Sequence, residues 1–316
     1  MQPDRGMMKR SAIFVLAVAV LAAPAQAGTA DYGRDANPYV CGEMKSNLTS
    51  RERELNGPRL NRMLLEVAAK GCVSLAIDLL DRGAWAGARD RFANTPLIHA
   101  AEGGHETIIR LLLDRGAELE WPNLKGSTAL ARAVGANRLK AAKALLEAGA
   151  STKVRDGLGA TPLAAAAFAG NDKMVKLLLA HGADPAEPDR TGKGPIVYAA
   201  ARGLSSTVAA LLDAGVDVNR PYEHGLTALM WAAGHSNDAP EEEGLATVEL
   251  LLARGARLDL ADDRGRTALM IAAERGHYLV VRRLIETGAD PTPRDKDGKS
   301  ALDLAANEAA RKALGE

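Results

Sequence analysis

Two cysteines, six histidines and one dense run of carboxylates are the side chains of this sequence whose types are suited to chemistry. Cys41 and Cys72 offer a disulfide, or two thiols for a metal or a redox step. His99, His105, His181, His224, His235 and His277 are scattered without metal-ligand spacing, and no phosphate-cradling glycine loop or nucleophile elbow accompanies them. The carboxylates gather in residues 236–244, SNDAPEEEG, as Asp238, Glu241, Glu242 and Glu243. Calcium would need oxygen ligands at regular loop positions, and that motif is missing. The expectation there is a solvated loop facing a partner, with acids that also favour the start of the next helix. No catalytic residue, metal centre or cofactor is expected.

The reading of the cysteines depends on the compartment. Residues 1–27 have the three parts of a secretory signal: Arg5, Lys9 and Arg10, then an apolar stretch over 12–23, then Ala25-Gln26-Ala27 as the cleavage site. An uncleaved anchor is the alternative, but this stretch falls short of the roughly 20 apolar residues that span a bilayer. Cleavage, a periplasmic or secreted protein and no stable membrane insertion are therefore expected. In an oxidising compartment an isolated cysteine pair favours a disulfide, and a Cys41–Cys72 bond would staple residues 28–56, an N-terminal extension, onto the remainder of the chain. Two free thiols, with Cys72 filling a small buried site, remain the alternative. The extension itself reads as irregular, ending in a short charged helix over 50–55.

Composition narrows the partner. The 40 basic and 40 acidic side chains balance, and aromatic residues make up only 3%. Nucleic-acid binding needs a basic footprint and often stacking platforms, so no nucleic acid is expected.

The elements that must position these residues repeat with a fixed period. Residues 95–117 read TPLIHAAEGGHETIIRLLLDRGA, and the opening position recurs as Arg62, Thr95, Thr128, Thr161, Gly194, Thr227, Thr267 and Ser300. The steps are 33 residues, except for 40 between Thr227 and Thr267. Each landmark has a role in a helix-turn-helix. Thr95 accepts from free amides at a helix start, and Pro96 sits where a missing N–H costs nothing. Gly104 and Gly116 suit the left-handed conformations that end helices. Ile108, Leu111 and Leu112 form a stripe that one unit cannot bury by itself, so the units must stack.

The Thr-Pro-Leu opening, the alanine pair Ala100 and Ala101, the Gly104-His105 step and the closing Gly116-Ala117 resemble the ankyrin repeat. That resemblance implies an all-α solenoid of stacked helix-turn-helix units with short β-hairpin turns. It would occupy residues 57–316, with about seven repeats and a truncated last one. Such arrays are expected to bind other proteins, as monomers and without catalysis, through a concave face made of the fingers and the first helices. Carried over by position, the contact residues are Arg91, Phe92, Lys125, Leu158, Arg190, Lys193, Tyr198, Arg202, His224, Trp231, Arg264 and Arg266. Basic residues dominate this set, so the partner surface is expected to be acidic. Tyr198 and Trp231 stand one residue beyond the place of the family's helix-start histidine, which no repeat keeps, and read either as aromatic anchors or as packing between repeats. The expected role is an exported scaffold or adaptor; the resemblance adds support of an envelope enzyme such as catalase. The alternative is an inhibitor or immunity protein that neutralises a toxic enzyme in the periplasm.

Overall fold

A computed structural model describes residues 35–50, 56–157, 159–236 and 240–315. The expected signal segment 1–27, the charged helix over 50–55 beyond residue 50, and Leu158 lie outside the described residues. Helices α2 (Gly57–Lys70) and α3 (Val73–Asp81) form the first antiparallel pair, followed by α4 (Pro96–Gly103) with α5 (Glu106–Asp114) and α6 (Ala129–Gly135) with α7 (Leu139–Glu147). The series continues through α8 (Pro162–Ala169) with α9 (Asp172–Ala180), α10 (Pro195–Ala201) with α11 (Ser205–Asp213), and α12 (Ala228–Ala233) with α13 (Glu241–Ala253). It closes with α14 (Ala268–Arg275) and α15 (Tyr278–Glu286), then the short α16 (Ala301–Leu304) and α17 (Glu308–Ala313).

The helix starts follow from local chemistry. The hydroxyls of Thr95, Thr128, Thr161, Thr227, Thr267 and Ser300 each accept from the amide three residues on. In the first unit the cap moves forward: Asn56 accepts from the Arg59 amide, so the unmatched Arg62 lies inside an extended α2. Gly104, at φ 84°, ends α4 in the left-handed region that a side chain would strain. Alanines of the first helices, Ala100 and Ala101 among them, are fully buried and let neighbouring units approach closely. Leu111, Leu112 and Ile108 are buried too, in one core that runs from Cys41 to Ala310. Each unit thus completes its neighbour's core, as a solenoid requires.

In four units the residue that opens the second helix reaches back to the preceding unit. A His105 ring nitrogen donates to the Ala69 carbonyl at 3.0 Å, Arg138 Nε to Glu102 O at 3.1 Å, His277 Nδ1 to Ala233 O at 3.0 Å, and Asn307 Nδ2 to Gly276 O at 2.9 Å. These bonds satisfy carbonyls that end a first helix without an internal donor. No helix pair precedes the first unit among the described residues, and Cys72 occupies this position. Its sulfur lies 2.01 Å from that of Cys41, at disulfide distance.

Cys41 belongs to helix α1 (Pro38–Ser50), which replaces the irregular extension expected from the sequence. The glycine, asparagine and proline content of that segment misled: Asn37 accepts from the Val40 amide to start α1, and Pro38 falls in its first turn. Cys41 and Leu48 are buried against the array. Asp35 accepts from the amide and the hydroxyl of Ser74, both at 3.0 Å, and so caps α3. The segment closes the apolar end of the stack.

The acidic insertion also differs from the expected solvated loop. Glu241, Glu242 and Glu243 form the first turn of α13, which has 13 residues where the other second helices between α3 and α15 have nine. Three carboxylates there face the positive end of the helix dipole. Glu241 reaches across to accept from the Leu279 amide at 2.8 Å, capping α15. Among the described residues, no three His, Cys, Asp or Glu side chains are grouped to hold a metal, and no helix is long and apolar enough to cross a membrane.

Where the insertion leaves the stack, the rings of His235 and His277 lie against each other with centroids 4.0 Å apart. Burial, with the neighbouring His277 ring, holds the His235 imidazole below its usual range; burial does the same for His105. In the unfolded chain these rings take up protons near pH 6.5, whereas the folded rings resist to lower pH. The unfolded state then binds more protons, so stability falls as pH drops below about 6.5 and levels off once the folded rings titrate. Thermal melts between about pH 7.5 and pH 5 should show this decline, and His235→Gln should make it shallower. An unchanged slope in that variant would remove His235 from the account.

Candidate protein-binding groove

The fingers between units are built on one acceptor. Asp90, Asn123, Asp156, Asp189, Asp262 and Asp295 open six of the seven fingers, the exception being the one that opens on Tyr222, and each accepts from the amide four residues on. Neighbouring fingers are tied together: Leu124 N donates to Phe92 O at 3.0 Å, Gly157 N to Lys125 O at 2.6 Å, Asp263 N to His224 O at 2.9 Å and Lys296 N to Arg264 O at 2.9 Å. The expected hairpins are thus tight turns joined edge to edge, with no strand among the described residues. Rigid spacing of this kind lets the fingertips act as one surface with little ordering cost on binding.

The first helices form the other wall. His99 and Tyr198, equivalent in their units, both reach their own finger: the His99 ring lies 3.0 Å from Asp90 Oδ2, and the Tyr198 hydroxyl donates to Asp189. Burial, then the Asp189 carboxylate, pushes the Tyr198 phenol up to about 12, so it stays a donor. Burial works against the Asp189 charge, but the bonds from Tyr198 and Thr191 outweigh it and hold its carboxyl below the usual range. Tyr198 is therefore committed to fixing a finger, and it also meets Phe168 edge-on at 5.9 Å. Trp231 is half-buried against the core, with the Lys193 ammonium 5.5 Å from its ring centroid. Arg202 lies over Phe168 at 5.0 Å and donates to the Phe168 carbonyl.

Charge is distributed less evenly than residue types suggest. Lys193 pairs with Glu223 at 3.2 Å and Arg264 with Asp297 at 3.8 Å. Arg266 is only 15% exposed, held at 2.9 Å by both Asp262 and Glu274. His224, in the left-handed region at φ 58°, is an exposed fingertip 3.6 Å from Glu223. Arg190 folds back along its neighbour and donates to Gly157 O at 3.3 Å. Lys125 is exposed with its side chain unpaired among the described residues. Exposed ion pairs add little stability, but each cancels a charge that the groove would otherwise present.

The N-terminal end is different. Arg62, Arg89 and Arg91 have no carboxylate partner among the described residues, and Arg91 stands over Phe92 at 4.7 Å. Trp85, Arg89 and Trp121 there carry no repeat landmark in the sequence. The available signal was an aromatic in a connecting segment of a chain with only three tryptophans.

This architecture is that of a helical solenoid presenting a finger-lined face, a class of protein that works by binding. Ankyrin repeats match in three stretches, residues 64–156, 163–241 and 229–314. The chain belongs to the ankyrin repeat family, whose arrays are protein-interaction scaffolds. It is similar to human ankyrin repeat domain-containing protein 63, at 48% identity over 59 residues, covering 19% of this chain and 16% of that protein. It is also similar to mouse NF-kappa-B inhibitor delta, at 34% identity over 83 residues, 22% of this chain and 25% of that one. The chain thus spans a quarter or less of the length of these relatives. The ankyrin repeat domain of human ASB11 superposes with a TM-score of 0.63 at 30% identity, covering 70% of this chain and 96% of that domain.

Proposed function

We propose that this chain is an exported scaffold or adaptor that holds another protein against the concave face formed by its fingers and first helices. The observation that carries the reading is the set of fingertips locked in register by backbone bonds, beside aromatic side chains left exposed at Phe92 and Phe168. Unfilled aromatic surface on a rigid frame is the usual substrate of interface hot spots. The Ala25-Gln26-Ala27 step and the cysteine pair at disulfide distance support export to an oxidising compartment. In such a setting the partner would be an envelope protein, such as a peroxide-consuming enzyme.

A second reading is an inhibitor that occludes a toxic enzyme in the same compartment. It is favoured by the relative whose name is that of an inhibitor, NF-kappa-B inhibitor delta.

Photo-crosslinking in the living host tests both. A photoreactive residue at Phe92 or Tyr198 should trap one common species, and the same residue at Tyr278, on a second helix, should not. Equal trapping from all three positions would sink the groove assignment. If the trapped species is an enzyme whose activity is lost on binding, the inhibitor reading replaces the scaffold.

A further inference from the structure

Resting on the binding reading above, we propose that the N-terminal end of the groove is the docking site for an acidic segment of the partner protein that carries a large apolar side chain. A hollow of about 860 Å³ lies between α2 and the first finger, lined on one side by Pro58, Arg62 and Leu65 and on the other by Trp85, Arg89 and Phe92. Trp85 is 58% exposed and Phe92 53%, and Leu124 on the adjoining fingertip is 75% exposed. Large apolar side chains left open together are costly in water and mark contact surfaces.

The aromatic wall is held in place before any partner arrives. The Trp85 amide donates to Asn61 Oδ1 at 2.7 Å. Its indole lies against Gly87, where a β-carbon would come within 2.7 Å of Cζ2. Arg89 is fixed likewise, with its guanidinium 3.5 Å from the centroid of Trp121. Stacking covers one face of that guanidinium and leaves its N–H edges free to fork onto a carboxylate. Asp90 also borders the hollow, but its carboxylate is taken up by Phe92, Asn94 and His99. Glu66 is the remaining acid there, against Arg62, Arg89 and Arg91.

Here three arginines without a carboxylate partner stand together beside exposed Trp85 and Phe92, whereas Phe168 farther along has the single arginine Arg202 over it. Farther along the groove Lys193, Arg264 and Arg266 are each neutralised by a carboxylate of the array itself. A nucleic acid would need a continued track of cations for its phosphates, and pairing of Lys193, Arg264 and Arg266 with carboxylates interrupts that track beyond the first fingers. A short acidic peptide segment needs only one cluster, and its apolar side chain would fill the hollow beside Trp85.

The test is a random-peptide display selection on the full exported chain, followed by affinities of the selected peptides. They should be enriched in Asp or Glu together with Trp, Phe or Leu. Their affinity should fall by about tenfold or more in Trp85→Ala and in the double variant Arg89→Glu/Arg91→Glu, as for a hot spot. Gly87→Ala, which keeps every contact group but displaces the indole, should weaken the same peptides, while Arg282→Glu on α15 should not. Circular dichroism melts establish that each variant is folded. A basic or uncharged consensus, or tighter binding of oligothymidylate, would overturn the proposal. Peptides sensitive to Phe168→Ala and indifferent to Trp85→Ala would overturn this site and leave the groove as the binding face. Selection of no peptide on any face would remove both readings.

Discussion

Cys72→Ser lowers the stability of the folded array by about 2–5 kcal/mol, the usual cost of losing a native disulfide from a small unit. The two sulfurs close a loop with a sequence separation of 31, for which the chain-entropy model gives roughly 3–4 kcal/mol. Both cysteines are buried, Cys72 completely, so the serine hydroxyl and the released Cys41 thiol would also be left in apolar surroundings. The damage should be local. In a stack where each unit touches only its neighbours, loosening one end need not unfold the other. Hydrogen exchange should show protection lost over α1–α3 and retained over α8–α15. Wild-type protein in reductant should follow the variant. If reductant changes neither the urea midpoint nor the exchange pattern, the staple carries no stability and the end cap rests on the packing of Leu48 and Met44 and the bonds of Asp35 and Ala36.

The second large effect runs against the repeat pattern. Gly194 stands where other units have a capping hydroxyl, so Gly194→Thr restores the common residue and would ordinarily gain only a few tenths of a kcal/mol, since glycine is itself a fair N-cap. Here it is expected to destabilise by about 1–3 kcal/mol, the range for overpacking. A β-carbon at Gly194 would come within 2.5 Å of Tyr222 Cε1, and the Tyr222 ring is buried. Tyr222 stands where the other fingers carry their Asp or Asn acceptor, so two departures in neighbouring units fit each other. Burial pushes the Tyr222 phenol up to about 12, and its hydroxyl has no partner among the described residues. The double variant Gly194→Thr/Tyr222→Asp should recover most of the loss, with a coupling of about 1 kcal/mol or more in a double-mutant cycle. Additive effects would show that the two positions are independent. Tyr222→Phe, which keeps the ring and removes an unpaired buried hydroxyl, should hold or exceed wild-type stability.

That pair shows where repeat logic stops. An alignment position reports what the average unit needs, such as a hydroxyl at a helix start or an acceptor at a finger. Gly194 and Tyr222 each look like a loss when read along the chain. Only their approach in space shows one filling the room left by the other. The acidic insertion behaves alike. Glu241 reads as loop charge in sequence, yet it caps α15, whose Leu279 amide lies 38 residues away.

Sequence by itself determined the repeating unit and the position of its caps from Thr95 onward, although not the Asn56 cap of the first unit. Each Thr, Gly and Leu landmark acts through backbone groups within a few residues, and local chemistry of that kind survives in a linear string. The reach-back position was legible only as an oddity, since Cys72 stood where His105 and His277 stand. Tertiary structure decided which groove charges are free. Lys193, Arg264 and Arg266 look equivalent to Arg62, Arg89 and Arg91 on paper. The first three meet carboxylates from their own or a neighbouring finger, whereas the last three meet aromatic rings or nothing that is negative. Charge cancellation depends on distances of a few ångströms between residues that the chain places far apart, and stacking the repeats sets those distances.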